Sequence, residues 1–143
     1  MKVRHLILAF VATIVPPGFG WQAEEITYDD FFYAIAQVES NHNDDAVGDN
    51  GRAIGRYQVW RVYWIDATEF SGIGGRYEDV KDKDYAERII EAYMKRYAPE
   101  AWAAKDWQTL ARIHNGGPRG HKKRATEKYW EKVKKVLDTA PDP

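Results

Sequence analysis

Phe31-Phe32-Tyr33-Ala34-Ile35-Ala36-Gln37-Val38-Glu39-Ser40-Asn41, followed closely by Gly48-Asp49-Asn50-Gly51-Arg52-Ala53-Ile54-Gly55-Arg56-Tyr57-Gln58, decides how this chain is read. Phe31, Ile35 and Val38, with Phe32 and Ala36 beside them, recur at the spacing of the buried stripe of a helix. Glu39 comes next, where that helix leaves the core. Two effects there disfavour its ionisation: desolvation against apolar neighbours, and the partial negative charge at a helix C-terminus. A carboxylic acid kept protonated near neutral pH is what a general acid needs. A second carboxylate arrives within a dozen residues, on a loop able to fold back across the first. Two such carboxyls are the minimum equipment for cleaving a glycosidic bond.

The 143 residues suffice for one domain with a real core and are too few for two. Six Trp and nine Tyr exceed what packing requires. Aromatic faces stack on sugar rings as readily as on bases or peptides, so the excess fits a binding groove without naming its ligand. Residues 1–23 read as a secretory leader, and residues 24–143 as a single catalytic domain. Lys2, Arg4 and His5 precede the apolar run from Leu6 to Val15, with small residues at Gly18, Gly20 and Ala23. That run is too short for a membrane anchor. The expected mature chain begins at Trp21 or Glu24, in the periplasm or outside the cell.

There is no cysteine. Thiolate nucleophiles, zinc–cysteine sites and redox motifs are therefore excluded, and an exported chain of this kind fits a bacterial envelope. Charge is uneven. Residues 24–118 carry 11 basic and 18 acidic side chains, whereas residues 119–135 carry 8 basic and 2 acidic. The basic tail fits attraction to an anionic wall polymer or a solvated helix face better than nucleic acid.

The patterning is mainly α. Thr27 and Asp30 open a helix over 28–40. Residues 41–56 hold three Gly, three Asp and three Asn and read as a loop or small hairpin. A helix is expected over 57–70, with Val59, Trp60, Tyr63 and Trp64 inward, and a turn over 71–75. Asp84 is the expected cap of a helix carrying Ile89, Ile90, Tyr93, Met94 and Tyr97 and stopped by Pro99. Another runs from Asp106 to His114 and ends at Asn115-Gly116-Gly117-Pro118. Thr126 is the expected cap of the last, which carries Tyr129, Trp130, Val133 and Leu137.

Several elements together resemble the invertebrate-type lysozymes, also called destabilases. They are Glu39-Ser40, the glycine-rich loop ending in Tyr57-Gln58, Tyr63-Trp64-Ile65-Asp66 and Tyr93-Met94-Lys95-Arg96-Tyr97. To these add Ala111-Arg112-Ile113-His114-Asn115-Gly116-Gly117-Pro118 and Tyr129-Trp130-Glu131-Lys132-Val133. They stand in the family's order over residues 31–133. The opening half is also similar to the soluble lytic transglycosylase pattern of the broader lysozyme-like superfamily. The animal enzymes are rich in disulfides; this chain has none and looks like a bacterial relative.

The resemblance implies an α+β lysozyme-like fold and hydrolysis of the β-1,4 bond between N-acetylmuramic acid and N-acetylglucosamine. The substrate would be peptidoglycan or a chitin-like oligosaccharide, bound by a monomer needing no cofactor or metal. Carried over by position, Glu39 is the general acid and Asp49 the second carboxylate, with Asp44 and Asp45 as alternatives. Tyr57, Gln58, His114 and Asn115 are the expected substrate-binding residues; His42 reads as solvated. A calcium loop over 43–51 is rejected, because no frame gives ligands at alternate positions and a closing Glu. Two other functions stay open: a lytic transglycosylase using Glu39 alone, and a non-catalytic wall-binding module. The isopeptidase action associated with some destabilases would need Ser40 or Ser71 near a base such as His114.

Overall fold

The computed structural model describes residues 25–139, so the leader expected over 1–23 lies outside the described residues. Helix α1, Tyr28–Ser40, opens as its sequence dictates. Thr27 Oγ1 accepts from the Asp30 amide, and the Asp30 carboxylate accepts from the Thr27 amide at 2.7 Å. The helix ends where Asn41 takes a left-handed backbone conformation, φ 54°, and its N–H returns to the carbonyls of Ala36 and Gln37.

Three two-residue strands follow: β1 (Val47–Gly48), β2 (Ala53–Ile54) and β3 (Val59–Trp60), paired antiparallel in the order β1-β2-β3. Val47 faces Ile54, which faces Val59; Gly48 faces Ala53, which faces Trp60. The expected hairpin is therefore present, but it reaches further than residue 56. The helix expected from Tyr57 begins only at Arg61, as α2, Arg61–Ser71. Gly55 at φ 79° and Gln58 at φ 48° turn the chain back, and pairing with β2 draws Val59 and Trp60 into the sheet. In that register Val59 points inward and Trp60 outward, against the expectation that both are buried.

Helix α3, Lys83–Tyr97, is capped by Asp82, whose carboxylate accepts from the Tyr85 amide at 2.8 Å. Asp84, the expected cap, lies in the first turn. Pro99 does more than stop α3: it opens the short α4, Pro99–Ala103, at a position where its missing N–H has no partner to lose. Helix α5, Trp107–Gly116, begins one residue after the expected start, with Asp106 as its cap. Helix α6, Glu127–Thr139, follows a 3-10 turn over Arg124–Thr126. Thr126 does not cap it through its side chain: Thr126 Oγ1 donates to the carbonyls of Gly120 and Lys123 and accepts from Arg112 Nε. The result is the expected mainly helical α+β fold: α1 packs on α6, α6 on α5, α3 on α2, α4 and α5, and the sheet meets α2 through β3.

The core gathers Phe31 and Ile35 of α1, Ile89, Ile90 and Met94 of α3, Leu110 and Ile113 of α5, and Val133 of α6. Each such side chain stabilises the fold by roughly 2–3 kcal/mol through removal from water. No disulfide adds to this, since the chain holds no cysteine. The tightest contact is at Gly120, where a Cβ would stand 1.9 Å from the Arg112 carbonyl oxygen and 3.0 Å from Ile113 Cα. Both are backbone atoms of α5, so no side chain can rotate away. Gly120→Ala is expected to lower unfolding free energy by about 3 kcal/mol, the upper part of the overpacking range. Urea unfolding checks this, and an unchanged midpoint contradicts it.

Candidate active site

Glu39 sits in the last turn of α1, and Asp49 on the 3-10 turn Asp49–Gly51 that joins β1 to β2. Both line one cleft of about 620 Å³, together with Gln58, Trp60, His114 and Asn115. Asp49, Asn50 and Gly51 all take positive φ, 49°, 56° and 87°. Such a turn suits Asp, Asn and Gly, the residues whose short or absent side chains tolerate the left-handed region. Trp60 Nε1 donates to Asp49 Oδ2 at 3.0 Å and holds the carboxylate at the cleft wall.

The Glu39 side chain is 17 % exposed. Burial pushes its pKa from 4.5 up to about 7, and the nearby Asp49 adds to the rise. Tyr129 and Lys132 oppose it. The Tyr129 hydroxyl is buried without a hydrogen bond of regular geometry, yet lies close enough to Glu39 to favour its charged form.

His114, at the end of α5, is 3 % exposed at its side chain, and burial lowers its pKa from 6.5 to about 4. It is therefore neutral at physiological pH. Its Nε2 lies 3.0 Å from the Tyr57 carbonyl, which can only accept, so Nε2 carries the proton; Nδ1 then accepts from Tyr63 O–H at 3.4 Å. Glu39 Oε1 is 3.6 Å from Nε2. The imidazole thus ties α5, α2 and the loop before β3 into one floor beneath Glu39.

These two pKa values set opposite linkage slopes. Between pH 4.5 and 7 folded Glu39 keeps a proton that the unfolded chain has released, so its contribution to stability falls as pH rises. Between pH 4 and 6.5 folded His114 lacks a proton that the unfolded chain has taken up, so its contribution rises with pH. In the shared window the two nearly cancel. Glu39→Gln removes one slope, and its stability should climb relative to the wild type by up to about 1.4 kcal/mol per pH unit. Urea midpoints across that window check it; parallel curves contradict it.

The remaining residues expected at the site fall on both sides of the line. Gln58 lines the cleft, but its Nε2 donates to the carbonyls of Ala46 and Gly55, so it braces the loop. Asn115 is exposed at the cleft mouth. The Tyr57 side chain is not in the cleft. It packs against Phe32, and its hydroxyl donates to Glu87 at 2.5 Å; only its carbonyl serves the site. Asp44 and Asp45 are also elsewhere. Arg56 holds Asp44 in a two-pronged pair at 2.5 and 3.0 Å, and Lys81 pairs with the exposed Asp45 at 3.2 Å. His42 is half-buried on Tyr33, ring centroids 4.5 Å apart, and is not solvated as expected.

Neither serine faces His114. Ser40 Oγ donates to the Arg56 carbonyl and Ser71 Oγ to the Ala67 carbonyl, and among the described residues neither hydroxyl is hydrogen-bonded to a histidine. Among the described residues no group of three or more His, Asp or Glu could hold a metal, and no helix is long and apolar enough to cross a membrane. Sequence reasoning missed Trp60, Tyr63, Tyr129 and Lys123 as parts of the site. Each reads locally as a core or surface residue, and only long-range packing brings it there.

The family model described as Destabilase matches residues 29–136. The chain is similar to Lysozyme 1 of Crassostrea virginica, 36% identical over 85 residues, which are 59% of this chain and 45% of that protein. It is similar to a lysozyme of Ostrea edulis, 38% identical over 89 residues, 59% of this chain and 62% of that protein. The matched region thus spans 45% to 62% of the length of these two relatives. In three dimensions it is similar to the inhibitor-bound lysozyme from Meretrix lusoria, with a TM-score of 0.62, 33% identity and coverage of 75% of this chain and 88% of that one.

Proposed function

The chain belongs to the destabilase family, and from that membership and its two-carboxyl cleft we propose that it is a muramidase. It hydrolyses the β-1,4 bond between N-acetylmuramic acid and N-acetylglucosamine of peptidoglycan, in the periplasm or outside the cell. One observation carries the reading: Glu39 and Asp49, from different elements, line the same cleft, and Glu39 is buried enough to hold a proton up to about pH 7.

In the first step Glu39 donates its proton to the glycosidic oxygen as the bond to the anomeric carbon breaks. Positive charge grows on the sugar ring, and the Asp49 carboxylate, held by Trp60, stabilises it or traps it covalently. Glu39, now a carboxylate, takes a proton from water as that water attacks the anomeric carbon. The cycle closes with Glu39 protonated again.

Around this chemistry Trp60 offers an apolar face to a sugar ring, and Asn115 stands where an N-acetyl group can be hydrogen-bonded. His114 stays neutral and fixes the floor. Family membership and the lysozyme names of its relatives support the substrate class. Purified sacculi incubated with the chain should release new reducing ends. Sacculi left unchanged contradict the reading.

A further inference from the structure

Beyond Trp60 the cleft opens into a second groove of about 460 Å³, lined by Arg52, Trp60, Arg61, Val62, Ile65 and Tyr77. Trp60 and Val62 line both cavities, so a substrate leaving the cleft on that side enters the groove. Its floor is apolar yet open to water: Val62 is 59 % exposed and Ile65 39 %. Each rim carries a guanidinium laid over an aromatic ring. Arg52 stands 4.9 Å from the Trp60 ring centroid, and Arg61 4.5 Å from that of Tyr77.

Arg52 is anchored by Nε, which donates to the Asp49 carbonyl at 3.0 Å. Its two terminal nitrogens have no partner among the described residues. Arg61 meets Glu78 at 3.5 Å, with both side chains about three-fifths exposed. Such a pair is weak and yields to a better-placed anion. A further sugar ring is uncharged and has no use for two cations. The groove instead matches an extended ligand with small apolar side chains and free carboxylates.

We infer that this groove seats the acidic peptide arm branching from a muramic acid of the strand held in the cleft. The inference rests on the muramidase reading and extends it: the chain recognises peptide-bearing wall, not glycan alone. The peptide is amide-linked through the lactyl group of the sugar, so its first residues leave the glycan at the cleft edge. Its carboxylates then meet Arg52 and Arg61, while its side chains cover Val62 and Ile65.

The test uses the full chain on two substrates: peptide-bearing glycan strands, and the same strands stripped of peptide by an amidase, with the freed lactyl carboxylates then capped as methylamides. Reducing-end release should give the peptide-bearing strands a kcat/KM about fivefold higher, the scale of an exposed ion pair. Arg61→Glu should remove that advantage and leave the rate on stripped strands within about twofold of the wild type. The variant should fold, because Arg61 opens α2 and an acidic residue is favoured in a first helical turn. Arg61→Gln should lie between the two. Equal wild-type rates on both strands overturn the inference and leave the muramidase reading intact. An Arg61→Glu loss of the same size on both strands also overturns it, and puts a sugar in the groove. No cleavage of either strand overturns the muramidase reading, and the inference falls with it.

Discussion

Glu39→Gln should lose at least ~10²-fold in the rate of peptidoglycan cleavage, the usual contribution of a positioned general acid. The amide has nearly the shape of the acid but no proton to give. Folding should hardly suffer, because the side chain is buried in its uncharged form and Gln is uncharged at every pH. Above pH 7 the variant should even be the more stable, since the wild type there bears the cost of a buried charge. Loss of activity with equal or greater stability separates a catalytic role from a structural one. A fully active variant removes Glu39 from the mechanism. The rate of the wild type should also fall as pH rises through about 7, as the acid is lost.

Asp49→Asn has an expected effect nearly as large, and it decides between chemistries. A preorganised charge facing a developing cation in a partly dry cleft contributes roughly 3 kcal/mol, or about 10²-fold in rate. The substitution keeps an oxygen for Trp60 Nε1 to bond, so the turn should survive. The variant is then nearly inactive while wild-type products carry free reducing ends. Retained activity with anhydro products assigns the chain to the lytic transglycosylases, which use the acid alone. Retained activity with hydrolytic products removes Asp49 from its role and nothing else. Asp44 is a poor substitute, since Arg56 grips it outside the cleft.

Most of the scaffold was legible in the sequence because its signals are local. Thr27 with Asp30, the apolar stripe of Phe31, Ile35 and Val38, and Asp106 before α5 are read within a few residues of where they act. Glu39 was legible for the same reason: its burial follows from its place on the stripe.

The stretch Tyr57–Trp60 was not. An apolar run this short satisfies a helical stripe and a strand equally well. Pairing with Ala53 and Ile54 decides for the strand, and that pairing turns Trp60 toward the cleft. The resemblance put Asp49 ahead of Asp44 and Asp45, but the surroundings of the three were hidden. Arg56 and Lys81, 12 and 36 positions further along, pair with Asp44 and Asp45 outside the cleft that Asp49 lines. Tyr129 shows the same limit. Its hydroxyl reaches Glu39 only because α6 packs across α1, and nothing near Tyr129 in the chain announces it.

In the proposed mechanism Glu39 and Asp49 together direct water to the anomeric carbon. Mass spectrometry of the muropeptides released from purified sacculi tests it most directly. Hydrolysis releases fragments ending in N-acetylmuramic acid with a free reducing end, and these are the expected products. Fragments one water lighter, with the sugar's own hydroxyl closed on the anomeric carbon, contradict it.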